Sequence, residues 1–183
     1  MIKVIGPKDK KKYKNYINVT SSGSDRFKFL SPFFLGPVKL YNNIYSKNME
    51  NAWQFSKVYK EHLDLNGNPS EQYFKWAKKG WNDSWAHRYP MGKNRKPEYS
   101  YWDGKKLDYL QGRQQIYIPL YSSLVEKTGQ FTDLVNRAKQ KEDIIIFDYD
   151  GYSDYDTLEE VTKNPNRKMG HGFVLALCII SRL

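Results

Sequence analysis

The sequence predicts an α+β fold, mainly α-helical, with an N-terminal β-hairpin and one or two central strands, and three observations carry that expectation. Residues 143–147, Asp-Ile-Ile-Ile-Phe, form the clearest buried strand in the chain. Val38-Lys-Leu-Tyr and Ile44-Tyr flank Asn42-Asn43, and Asn tolerates the positive φ that a tight hairpin turn needs. Helical periodicity fills much of the rest, as at Phe131, Leu134, Val135 and Ala138.

Taken in order, residues 1–5 read as a short strand, followed by Gly6-Pro7 and a lysine run that reads as a solvated turn or arm. Residues 16–20 have strand character, residues 21–25 are turn-forming, and residues 27–34 are aromatic-rich and interrupted at Pro32. The hairpin then delivers the chain to Ser46 or Asn48, either of which can cap a helix with Glu50 in its first turn. A second helix is expected from Asn68-Pro-Ser-Glu through Trp81, with Asn68 as cap and Tyr73, Trp76 and Ala77 toward the core. Residues 85–97 read as irregular because Pro90, Gly92 and Pro97 break any helix.

Tyr101-Trp-Asp-Gly is expected to open a further helix, running to Tyr117 and bent or ended at Pro119. Residues 120–127 and 128–139 read as helical. The buried strand empties into Asp148-Tyr-Asp-Gly, a sharp exit where an acid is displayed. After one or two helical turns at residues 157–161, a loop of breakers and cations at 164–172 leads into a buried segment at 173–181, best read as a helix.

The chain's 183 residues suit one domain, 1–183, with residues 1–14 as a basic N-terminal segment. Apolar residues at 39 % and aromatics at 16 % place it among globular rather than disordered chains. The apolar run 173–180 is too short to cross a bilayer, and no apolar targeting segment follows Met1, so a soluble, cytoplasmic monomer with no membrane partner is expected. The single cysteine, Cys178, lies in that run and reads as a buried, inert thiol; no disulfide framework, metal site or cofactor is expected. The net charge of +10 is uneven. Residues 1–14 carry six lysines against Asp9, residues 75–106 carry nine cations against three acids, and residues 142–160 carry eight acids and no Lys or Arg. A basic surface beside an acidic patch suits a polyanionic partner, nucleic acid among them, while a lysine-rich composition bias accounts for the same counts. No zinc-finger spacing, heptad or RNP-like motif marks a nucleic-acid-reading module.

If residues 50–57 are helical, Glu50, Trp53, Gln54 and Lys57 share one face at i, i+3, i+4 and i+7. The plainer reading is a surface helix with a charge pair and one Trp anchor. The alternative is a pocket lining, in which an acid transfers protons, an amide orients, an indole stacks and an amine acts as cation or nucleophile.

The order of an aromatic Leu30-Ser31-Pro32-Phe33 loop, a short hairpin and a Glu50-x-x-x-Gln54-x-x-Lys57 helix resembles the NADAR family, associated with NAD and ADP-ribose metabolism. Further along, Lys93 to Trp102, Asp150-Gly151 and Lys168-Met-Gly-His-Gly172 look like that family's later motifs in the same order. Three positions depart from its usual pattern: Pro32 and Met169 stand where Asn is usual, and Asn51 where His is common. The resemblance implies hydrolysis of an N-glycosidic bond between a phosphorylated ribose or ADP-ribose and a nucleobase-like group. It implies Glu50 and Asp150 as an acid/base pair, and Lys57 as a phosphate-binding cation or a Schiff-base nucleophile. It further implies substrate contacts from Ser31, Phe33, Trp53, Gln54, Trp102, Lys168, Gly170 and His171. His62 and His87 are expected on the surface. The reading from a different class is a basic nucleic-acid- or nucleotide-binding protein, phage origin among its sources, whose catalytic constellation has decayed, as the departures at Pro32, Asn51 and Met169 would indicate.

Overall fold

In the computed structural model, which describes residues 1–183, the chain adopts the expected α+β architecture. The strands are β1 (Ile2–Ile5), β2 (Ile17–Asn18), β3 (Val38–Lys39), β4 (Tyr45–Ser46), β5 (Lys57–Val58), β6 (Tyr99–Trp102), β7 (Lys105–Leu107) and β8 (Ile144–Phe147). The helices are α1 (Met49–Gln54), α2 (Glu71–Trp81), α3 (Tyr109–Gly112), α4 (Ile118–Val125), α5 (Gly129–Lys139), α6 (Leu158–Lys163) and α7 (His171–Ile180). The chain resolves into two compact units, residues 1–35 with 121–183, and residues 36–120. No helix is long and apolar enough to cross a membrane.

The first unit is built on β8. It pairs in parallel with β1 (Ile2 opposite Ile144, Ile5 opposite Phe147) and with β2 (Ile17 opposite Ile146), so that β8 is central. Its four residues are all buried, which is why it reads as an unbroken apolar run: a central parallel strand has no solvent face. Helix α7 packs on β1 and β8 with Phe173, Val174, Leu175 and Ala176 buried. Tyr13 and Tyr16 pack against Ile5, Ile145 and Phe147. Each apolar side chain fully buried here contributes about 1.5–3 kcal/mol. Thr128 caps α5 by accepting from the Phe131 amide at 3.1 Å, and the buried Tyr121 hydroxyl donates to the Leu30 carbonyl at 2.8 Å, pinning the 3-10 turn Arg26–Leu30. Cys178 is buried as expected, and burial pushes its thiol pKa up.

In the second unit the β3–β4 hairpin turns through Asn42 (φ 51°) and Asn43 (φ 56°), as the dipeptide predicts. Three expectations are corrected. Residues 101–117 are not one helix: β6 and β7 form a second hairpin whose turn residues, Asp103 (φ 46°) and Gly104 (φ 78°), are the Asp-Gly pair favoured in two-residue hairpin turns. The helix starts later, at an Asp108–Gln111 capping box, and passes through a π-helical turn, Arg113–Tyr117, into α4. That wider turn lies immediately before Pro119, whose missing N–H interrupts the i→i−4 ladder. The cap of α2 is Ser70, which accepts from the Tyr73 amide, while Pro69 instead forms a bridge with Leu63. His62 is buried, with 3 % of its surface exposed, and its ring lies 4.5 Å from that of Trp76. A 3-10 turn, Lys60–His62, carries it into the aromatic cluster of Tyr59, Tyr73 and Trp76. His87, by contrast, is partly exposed and pairs with Asp83.

Candidate active site

Helix α1 is a short, wholly buried element. Asn48, not Ser46, caps it, its side chain accepting from the Asn51 amide at 2.8 Å; the Ser46 hydroxyl donates to the Asn48 carbonyl. Glu50 lies in the first turn, where unpaired amides favour a carboxylate.

The helix does not reach Lys57. It ends at the C-cap Phe55: the Ser56 amide turns back to the Trp53 carbonyl at 3.3 Å and the Ser56 hydroxyl donates to the same carbonyl at 2.8 Å, while the Ser56 carbonyl accepts from the Tyr101 amide at 2.7 Å and the buried Tyr73 hydroxyl donates to the carbonyls of Phe55 and Ser56. Lys57 therefore opens β5, paired antiparallel with β6 opposite Ser100. The i+7 helical geometry is overturned, yet the side chains still converge. The Lys57 amine donates to Gln54 Oε1 at 2.7 Å, and Gln54 Nε2 donates to Glu50 Oε1 at 2.9 Å. An amide thus links a carboxylate to an amine in one line.

Glu50 is 6 % exposed, Gln54 8 % and Trp53 9 %. The amine also lies 4.8 Å from the centroid of the Trp53 ring, whose neighbour Tyr117 meets it edge-on at 5.4 Å. Burial pushes the Lys57 pKa down to about 8, against the opposing pull of the Glu50 charge. An acid, a polar spacer and a partly deprotonated amine are the components of proton transfer and of amine nucleophilicity.

Asn51 does structural work beside this line. Its Nδ2 donates to the carbonyls of Gly80, Asp83 and Trp85 at 3.0, 3.1 and 2.8 Å, and its Oδ1 accepts from the His87 amide at 2.8 Å. It is fully buried and holds residues 80–87 to α1. Gly80 has a packing reason of its own, since a Cβ there would come within 2.1 Å of the Phe55 ring. Trp102 is partly buried against Tyr41, rings 5.0 Å apart. Arg113, which the sequence did not single out, is 2 % exposed on the π turn and donates to the Tyr109 hydroxyl at 2.8 Å.

The remaining candidates belong to the first unit. Ser31 is buried and accepts from the Phe33 amide at 3.4 Å; Phe33 is partly buried. Asp150 is partly exposed in the turn after β8, and Lys168 is exposed. Gly170 is the N-cap of α7. The buried acid of this region is Asp148, which sequence reasoning passed over. Its Oδ2 accepts from the Gly172 amide at 2.8 Å, capping α7, and lies 3.3 Å from His171 Nδ1. His171 Nε2 donates to the Val19 carbonyl at 2.8 Å, so both ring nitrogens face protein groups. A Cβ on Gly170 would fall 2.1 Å from Asp148 Oδ2, which explains a glycine at that cap. The available signal was position: Asp148 directly follows the buried strand. No group of three or more His, Cys, Asp or Glu is arranged to hold a metal ion.

This is an α+β protein with a carboxylate–amide–amine line in its second unit, buried at Glu50 and Gln54 and partly buried at Lys57. The chain belongs to a family of unknown function, DUF6939, whose match covers residues 8–164. No curated protein and no solved structure matches it.

Proposed function

We propose that the protein is an N-glycoside hydrolase cleaving the bond between a phosphorylated ribose or ADP-ribose and a nucleobase-like group, with Glu50 transferring the proton and Lys57 serving as its amine partner. One observation carries this reading: the buried Glu50 and Gln54 and the partly buried Lys57 form a hydrogen-bonded line, and burial pulls the amine pKa down, to about 8. At pH 7.5 such an amine is unprotonated in about a quarter of molecules, against about one in a thousand for an ordinary lysine.

Departure of a base from a riboside needs a proton on the leaving nitrogen and relief of positive charge at the anomeric carbon. Glu50 in its acid form gives the proton to the leaving nitrogen, and the carboxylate left by that transfer relieves the positive charge at the anomeric carbon. The free amine adds to the C1 aldehyde of the opened sugar, forming the C=N bond of a Schiff base with loss of water; hydrolysis reverses the step and frees Lys57. The nature of the sugar phosphate rests on the resemblance to NADAR proteins at Glu50, Gln54 and Lys57.

The test is mass-spectrometric detection of released ADP-ribose or ribose phosphate from ADP-ribosylated DNA and from a phosphoribosylated aminopyrimidine. Wild type is expected to release product from one of them, while Glu50→Gln folds but does not turn over. Release by both proteins alike, or by neither, overturns the assignment. Borohydride added during turnover is expected to trap the sugar on Lys57; active enzyme without a trapped adduct restricts Lys57 to binding.

A further inference from the structure

The segment between α2 and β6 combines a fixed backbone with exposed aromatic rings and unpaired positive charge. Its start is held by Asn51, whose amide bonds reach the backbone at Asp83, Trp85 and His87. Asp83 adds two ties, accepting from the Trp85 amide at 2.9 Å and pairing with His87 Nε2 at 2.8 Å. Its end is fixed where the Glu98 amide donates to the Val58 carbonyl at 2.8 Å. Between these anchors the chain makes two successive turns, Gly92 N–H to Tyr89 O and Arg95 N–H to Gly92 O, with Gly92 at φ 100°.

Despite that anchoring, the Trp85 side chain is 75 % exposed and Tyr89 41 %. An indole in water on a well-held backbone is not explained by packing, because burying it would stabilise the fold. Beyond Asp83, whose carboxylate is taken up by the Trp85 amide and His87, the charges of the segment itself have one sign. Residues 84–97 carry Arg88, Lys93, Arg95 and Lys96 and no acid. Arg95 is engaged by Glu61, and the Arg88 guanidinium lies 5.7 Å from the Tyr89 ring, but Lys93 and Lys96 are exposed and form no ion pair. Rings displayed beside cations are the two components of single-strand recognition: a flat face for an unpaired base and charges for the phosphates on either side. A duplex offers phosphates but no free base face, and an acidic peptide offers charge but nothing that stacks.

We infer that residues 84–97 are a binding surface for single-stranded nucleic acid, with Trp85 stacking on an unpaired base and Lys93 and Lys96 contacting flanking phosphates. This surface uses none of the residues of the Glu50–Lys57 line and does not depend on the activity assigned to it.

The test is fluorescence anisotropy of a labelled 12-nucleotide oligothymidylate titrated with the full chain at several salt concentrations. Trp85→Ala is expected to weaken binding roughly 5- to 150-fold, the effect of losing one stacked base, with an unchanged thermal melt because the side chain is exposed. Trp85→Phe restores most of the affinity. Lys93→Ala combined with Lys96→Ala lowers the slope of log affinity against log salt by about 1.4, two phosphate contacts on a single strand. Glu50→Gln leaves all of this unchanged, which separates failure here from failure of the hydrolase reading. The inference is overturned if Trp85→Ala binds as wild type does, if a duplex of equal length binds as tightly with the same indifference to Trp85, or if polyglutamate displaces the protein from the single strand. It is equally overturned if no saturable binding is found in low salt.

Discussion

Replacing Glu50 by Gln has a consequence for Lys57 that follows from charge alone. The substitution keeps an oxygen acceptor for Gln54 Nε2 and removes one negative charge. That charge favours the ammonium form of Lys57, while burial opposes it. Hydrogen bonds of 2.7 and 2.9 Å in series with one amide hold the amine within about 8 Å of the carboxylate oxygen. At that separation and an effective dielectric of about 20, the attraction is about 2 kcal/mol, or about 1.5 pH units. The Lys57 pKa is therefore expected to fall from about 8 in wild type by about 1.5 in Glu50→Gln. Competitive acetylation with acetic anhydride across pH 5.5–10, read peptide by peptide in a mass spectrometer, follows the Lys57 amine against the surface lysines. A Lys57 midpoint that stays put or rises in Glu50→Gln refutes the electrostatic link. A wild-type midpoint near the free-lysine value of about 10.4 refutes the enclosed amine altogether.

Asn51→Ala is expected to lower unfolding stability by about 3 kcal/mol, because it removes the partner of the Asp83 and Trp85 carbonyls and of the His87 amide; urea unfolding measures the loss, and hydrogen exchange at the His87 amide localises it. His62 has its pKa lowered by burial, and its Nδ1 has no hydrogen-bond partner. The unfolded chain therefore binds the His62 proton more readily, and stability is lost as pH falls below about 6.5 toward the lower folded value. His62→Phe keeps the ring on Trp76, is expected to be at least as stable as wild type at pH 7, and should flatten the unfolding profile below pH 6.5; an unaltered acid profile would acquit His62. Asp148→Ala removes the only side-chain acceptor on the Gly172 amide and the acid facing His171, with an expected loss of about 2–4 kcal/mol in thermal or urea unfolding. A change below about 0.5 kcal/mol would mean that Asp148 does not secure α7.

The sequence by itself determined the features whose physics is local. The Ile144-Ile-Ile-Phe147 strand, the Asn42-Asn43 turn, the Thr128-capped α5 and the buried α7 follow from apolar runs, positive-φ residues and caps, each decided within a few residues. Glu50, Gln54 and Lys57 were legible as a group for a related reason: the helical spacing holds for Glu50, Trp53 and Gln54 and fails only at Lys57. Only the tertiary structure decided how they meet. The Ser56 hydroxyl and amide take the Trp53 carbonyl that the Lys57 amide would need to continue α1, and residues 57–58 pair with β6 instead, so Lys57 returns to Gln54 from a strand. The same holds where partners are remote in sequence: Asn51 against residues 80–87, Asp148 against Gly172 and His171, His62 against Trp76. Their neighbours in the chain carry no trace of these contacts, because the free energy that buries a polar group comes from partners that the folded backbone brings to it.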